Sequence, residues 1–177
     1  QGWDIDLMAH HRRGGFILGL CGGYQMLGQA VADPEGLEGE PGVTPGLGLL
    51  DVTTVMHPEK RLAVVEARHV ATDQAVSGYE IHIGATEGAD RARPFAMVAD
   101  TPEGAVSSDG RVAGTYLHGL FDEPAFRRSF LDDLREGAGL RKAAKKHAGQ
   151  PVDVDDRLAR HVECHIDRAY LMHIVEG

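Results

Sequence analysis

Phe16-Ile17-Leu18-Gly19-Leu20-Cys21-Gly22-Gly23-Tyr24-Gln25-Met26-Leu27-Gly28 constrains the fold more than any other stretch of this chain. Phe16 to Leu20 is a short apolar run bounded by glycines, and its length predicts a buried strand rather than a helix. Tyr24 to Ala30 then reads as a helix. Cys21 is left at the joint, with Gly19 two residues before it and Gly23 two residues after. A sharp strand-to-helix turn of this kind holds a nucleophile in a strained backbone conformation, and only small neighbours fit around it. The start of the following helix offers backbone N–H groups and a positive dipole end, which favour a thiolate and stabilise a developing oxyanion. An isolated Cys in a glycine-rich turn is usually structural. The glycine spacing here points to a nucleophile.

A chain of 177 residues predicts one domain, 1–177, with a sizeable core. The net charge of −9 argues against nucleic acid as a partner. Two cysteines, Cys21 and Cys164, make no disulfide framework and suit a reducing, cytoplasmic setting. No apolar run approaches the roughly 20 residues of a membrane helix, so no membrane partner is expected, and the N-terminus lacks a signal-peptide core. Gln1 to His11 looks like the end of a helix rather than the start of a domain, which predicts further material upstream.

The rest of the chain reads as alternating elements. Gly2 to Arg12 is a weakly amphipathic helix ended by Gly14-Gly15. Asp33 to Gly48 is an acidic loop rich in glycine, long enough to be functional or mobile. Leu49 to Met56 and Leu62 to Val70 are strand-like, and a turn across His57-Pro58-Glu59-Lys60-Arg61 would make them an antiparallel hairpin. Val76 to Gly84, Phe95 to Ala99 and Val112 to Leu117 are further strands, with a turn-rich link over Gly104 to Gly110. From Pro124 the apolar spacing becomes helical. Arg141 to Lys146 is a basic cluster, and Val152 to Val175 reads as one closing amphipathic helix.

A Cys nucleophile needs a general base, normally His. Of ten histidines, His118 is the best placed, because the apolar strand from Val112 ends there, and reactive groups in α/β sheets gather at the carboxyl ends of strands. A structural His at a strand end would sit in the same place. In Gly78-Tyr79-Glu80-Ile81-His82-Ile83-Gly84, alternation sends Tyr79, Ile81 and Ile83 to one face, and Glu80 and His82 to the other. That second face could bind a polar ligand or simply meet solvent. His161, Cys164 and His165 share a helix face, but zinc needs a fourth ligand and none stands at a usual spacing, so no metal is expected. The chain has no phosphate loop, dinucleotide turn or HExxH motif.

Three motifs occur in order: Gly19 to Gly28, Gly78 to Gly84, and Gly114-Thr115-Tyr116-Leu117-His118-Gly119-Leu120-Phe121-Asp122. Together they resemble the glutamine amidotransferase domain of the cobyric acid synthase family, among the triad-type (class I) glutaminases. The resemblance covers essentially the whole chain. It implies a flavodoxin-like α/β domain that hydrolyses glutamine to glutamate and ammonia. Cys21 would be the nucleophile and His118 the base. The Gly22 N–H would line the oxyanion hole. Gly23, Gln25, Tyr79, Glu80 and His82 would lie around the bound glutamine.

Many relatives carry a Glu two residues after the His; Leu120 stands there, and Glu80 is the candidate to orient His118 instead. A Pro-Gly-Ser loop that gives the family its second oxyanion donor has no counterpart after Gln1. The domain is therefore expected to lack its first βα units, to fold at least partly and to be nearly inactive alone. No cofactor is implied here. ATP and magnesium would serve an N-terminal synthetase domain, which would amidate carboxylates of a corrin substrate on the route to cobalamin. The alternatives are the glutaminase of a close paralogue, cobyrinic acid a,c-diamide synthase or the lipid II amidating enzyme, and a non-catalytic fragment or interaction module.

Overall fold

The computed structural model describes residues 2–142 and 154–176. It divides after Lys142 into two compact units, each described by itself. Helix α1 (Trp3–Arg12) is followed by strand β1 (Ile17–Leu20) and the short helix α2 (Gly22–Leu27). Strands β2 (Ala30–Asp33), β3 (Gly42–Pro45), β4 (Thr53–His69) and β5 (Ala75–Glu87) come next. Short strands β6 (Ala96–Val98), β7 (Thr101–Glu103), β8 (Ala105–Val106), β9 (Val112–Thr115) and β10 (Leu117–His118) lead to helix α3 (Pro124–Gly137).

The strands form two sheets. In the first, β1 runs parallel to β9, with Leu20 opposite Thr115, and β8 pairs antiparallel on the far side of β9. Every residue of β9 is buried, as expected of a strand covered on both faces. The second sheet runs β10-β5-β4-β2-β3, with β6 on β4 and β7 on β6. The α/β expectation is met by this mixture of strands and helices.

Several boundaries differ from the sequence reading. Leu49–Met56 and Leu62–Val70 are not the arms of a hairpin. Thr53 to His69 is one long strand, and its hairpin partner is β5. The register with β5 shifts between Val55 and Lys60. Val55 faces Ala85 and Lys60 faces Ile83, so Pro58 sits in a bulge where no ladder N–H is required of it. The helix after Cys21 ends at Leu27, and Ala30 begins β2. The 33–48 loop contains β3, paired on β2. In the second unit the closing helix is two, α4 (Val154–His165) and α5 (Arg168–Glu176). Asp167 interrupts them, its carboxylate accepting the Tyr170 N–H at 3.1 Å as a cap. Residues 143–146 of the basic cluster and the first residues of the predicted closing helix, 152–153, lie outside the described residues.

Two apolar clusters hold the first unit. Phe126 and Phe130, one turn apart on α3, pack with Val65, Val76, Phe95, Leu117 and Leu120. Tyr24, Leu27, Ile17, Val52, Val112 and Tyr116 form the second cluster directly behind Cys21. Leu120 is thus a core residue, 1% exposed.

Candidate active site

Cys21 has φ 52° and ψ −117°, a conformation that side chains rarely adopt. The surroundings hold it there. Its N–H donates to the Thr115 carbonyl at 2.9 Å, and its own carbonyl accepts the N–H groups of Tyr24 and Gln25 at 2.9 and 3.2 Å. Gly19 must be glycine, because a Cβ would stand 2.6 Å from Leu27 Cδ1 and 2.7 Å from the Gly23 carbonyl. Added Cβ atoms on Gly22 and Gly23 would meet nothing within 4 Å. Their N–H groups belong to the first turn of α2, where no intrahelical acceptor exists.

β5 brings the three motifs together. The Cys21 thiol donates to the Ile81 carbonyl at 3.4 Å. Two residues on, the Ile83 carbonyl accepts Gln25 Nε2 at 3.3 Å. Two residues back, the Tyr79 ring stacks on the His118 ring, centroids 5.0 Å apart and planes 10° from parallel. The stack follows from register, since β10 sets His118 opposite Tyr79 and Leu117 opposite Glu80. Gly78 allows this pairing, because a Cβ there would collide with the His118 carbonyl. Nε2 of His118 is buried without a hydrogen-bond partner.

The other face of β5 carries the charges. Glu80 is 5% exposed and forms an ion pair with Arg61. Among the described residues no hydrogen bond joins Glu80 to His118. The His82 ring lies on the Tyr116 ring at 3.8 Å, and its Nδ1 donates to the Gly84 carbonyl at 3.2 Å. Burial holds His82 below the usual histidine range, against the pull of Glu80. Gln25 Nε2 also donates to the Tyr116 hydroxyl at 3.2 Å, which shares a 2.6 Å bond with Thr86, and Thr86 a 2.7 Å bond with Thr54. Tyr24, Glu80, His82, Glu103 and Tyr116 line a cavity of about 270 Å³ on this face. A larger cavity of about 600 Å³ lies at the other end of β1, among His10, Phe16 and Phe130, and neither cavity is lined by Cys21 or His118.

Sequence reasoning overlooked Arg61, Glu103 and Tyr116. Arg61 reads as part of a turn in the sequence, and Glu103 has no periodic neighbour to single it out. Among the described residues no three His, Cys, Asp or Glu side chains are grouped to hold a metal. His165 Nδ1 bonds the His161 carbonyl at 2.7 Å.

Residues 1–126 match the CobB/CobQ-like glutamine amidotransferase domain family, a span that includes Cys21, the β5 motif and His118. The chain belongs to this family. As a CobB/CobQ-like glutamine amidotransferase domain it is 62% identical over 172 residues to a cobyric acid synthase of Cereibacter sphaeroides, covering 97% of this chain and 35% of that one. Similarity to the cobyric acid synthase of Rhodobacter capsulatus is 62% over 167 residues, 94% of this chain and 34% of that one. With that of Ruegeria sp. it is 53% over 176 residues, 99% and 36% respectively. The chain thus spans about a third of the length of the curated relatives it matches. The fold is similar to that of PurLQS from Thermotoga maritima, with a TM-score of 0.53 at 15% identity over 74% of this chain and 68% of that one. No helix among the described residues is long and apolar enough to cross a membrane.

Proposed function

We propose that this glutamine amidotransferase domain is the glutaminase part of a cobyric acid synthase. It supplies ammonia to a synthetase portion that uses ATP and magnesium to amidate corrin carboxylates. The observation that supports this reading best is the use of β5 as a template, with Tyr79 under His118, Ile81 on Cys21 and Ile83 on Gln25. Identity with cobyric acid synthases over nearly the whole chain supports the choice of acceptor.

In this reading His118 takes the Cys21 proton, and Sγ attacks the side-chain amide carbon of glutamine. The oxyanion meets the Gly22 N–H in the first turn of α2. His118 returns its proton to nitrogen, and the C–N bond breaks to release ammonia. Water, deprotonated by His118, cleaves the thioester to glutamate and restores the thiol. The unpartnered Nε2 of His118 suits a group that gains and loses a proton in each half-reaction. Tyr79 borders the glutamine site on the His118 side. Gln25, Glu80 and His82 hold its walls through β5, Arg61 and Tyr116.

The test compares His118→Ala with the parent, with the domain joined to the remaining length of a cobyric acid synthase. Glutamine-dependent amidation should fall on the order of 100- to 10,000-fold, while ammonia-dependent amidation persists. Equal loss of both would make His118 structural and sink the assignment. Loss of neither would remove the glutaminase reading.

A further inference from the structure

The chain changes sheets between Cys21's neighbour strand and His118. β9 ends at Thr115, the partner of Leu20, and β10 begins at Leu117, already paired with β5. Tyr116 is the single residue between the strands, and its N–H belongs to neither ladder. Glu103, 6% exposed, receives that N–H at 2.7 Å on Oε1. Its Oε2 receives the Thr115 hydroxyl at 2.6 Å. The Thr115 hydroxyl oxygen in turn accepts the Leu117 N–H at 3.1 Å. One side chain therefore holds the backbone on both sides of the corner. The same Thr115 accepts the Cys21 N–H through its carbonyl. Gly104, with φ 71°, lets the chain beside Glu103 lie against the Gly114 carbonyl.

We propose, building on the glutaminase reading, that Glu103 is a positioning residue that sets Cys21 and His118 in register by clamping the Thr115–Tyr116 corner. A carboxylate suits this task because both of its oxygens only accept. A glutamine of the same shape would put N–H against the Thr115 hydroxyl, which already accepts from Leu117, and would leave the hydroxyl proton without an acceptor. Retaining a buried carboxyl has a cost. Burial pushes Glu103 up to about 7, reinforced by Glu80 and opposed by its two hydrogen bonds and by Arg91. Tyr24 and Tyr116 face it, and His82 and Arg61 share its cavity. A group raised in the folded state contributes stability below its unfolded pKa and loses it as pH rises through the folded value. Glu103 therefore weakens the fold at the pH where its ionised form holds the corner.

This opposition separates positioning from mere packing. In Glu103→Gln, assayed in the same synthase-length protein, kcat for glutamate release at about pH 8 should fall on the order of 10- to 100-fold, with KM nearly unchanged. Its melting temperature relative to the parent should rise from about pH 5 to pH 8, opposite to the activity. Thr115→Val removes the same bond and also takes the acceptor from the Leu117 N–H, so its kcat should fall at least as far as that of Glu103→Gln. An unchanged kcat per titrated Cys21, or one that falls only with the folded fraction, would overturn the proposal and leave the glutaminase reading intact. A parent that releases no glutamate would overturn both.

Discussion

His118 and Tyr79 lie ring on ring across the β5–β10 pair, 5.0 Å between centroids and 10° from parallel. The contact depends on the aromatic face rather than the hydroxyl. Tyr79→Phe should therefore keep glutaminase turnover within about twofold, whereas Tyr79→Ala frees the imidazole and should lower kcat at least tenfold, given what small misplacements cost. Steady-state glutamate release decides it. A Phe variant as slow as the Ala variant would assign the role to the hydroxyl instead.

The two cysteines should separate cleanly. Cys21 sits in a strained turn with its thiol on the Ile81 carbonyl, and Cys164 is an exposed residue of α4. A glutamine-analogue electrophile such as diazo-oxo-norleucine needs an adjoining amide site as well as a thiol. Peptide mass spectrometry should find it on Cys21 alone. Labelling at Cys164 with Cys21 untouched would remove Cys21 as nucleophile.

The glycines of the elbow should differ in stability. At Gly19 an added methyl meets the Gly23 backbone at 2.7 Å, so Gly19→Ala should cost about 1–3 kcal/mol. At Gly22 it meets nothing within 4 Å, and alanine favours helix, so Gly22→Ala should lose no stability. Urea unfolding of both variants measures the contrast. Equal stabilities would mean that the β1–α2 approach is looser than described.

His69 should make the fold acid-sensitive. Its ring is packed against Phe95 and Phe126 at 4.6 and 5.1 Å. Burial pushes it below the ordinary histidine value of 6.5, opposed by Asp133. A base depressed in the folded state is protonated first in the unfolded chain. Stability is therefore full above about 6.5 and declines as pH falls from there toward the folded value. His69→Phe should show a shallower drop in melting temperature between about pH 7.5 and 5.5 than the parent. Identical slopes would show that His69 protonates without opening the core.

The candidate site residues were legible in the chain because their signals are local. A cysteine between glycines at a strand-to-helix joint, an alternating Tyr79-Glu80-Ile81-His82 strand and a histidine at the end of an apolar run each need only a few neighbours to be read. Backbone geometry at Cys21 follows from steric limits that glycine spacing expresses directly.

Pairing was decided elsewhere. Leu49–Met56 and Leu62–Val70 look like two strands because Pro58 interrupts them, yet β5 pairs with both and bulges the proline out. The energy of that ladder comes from residues far along the chain, which no local window contains. The same holds for Glu103. By itself it is one carboxylate beside a glycine, and its place under Thr115 and Tyr116 exists only once β9 has crossed to the second sheet. Sequence alone determined which groups are available to react, since that is set by residue type and near neighbours. Tertiary structure decided which of them share a strand, a stack or a buried corner, since those contacts depend on register between distant segments.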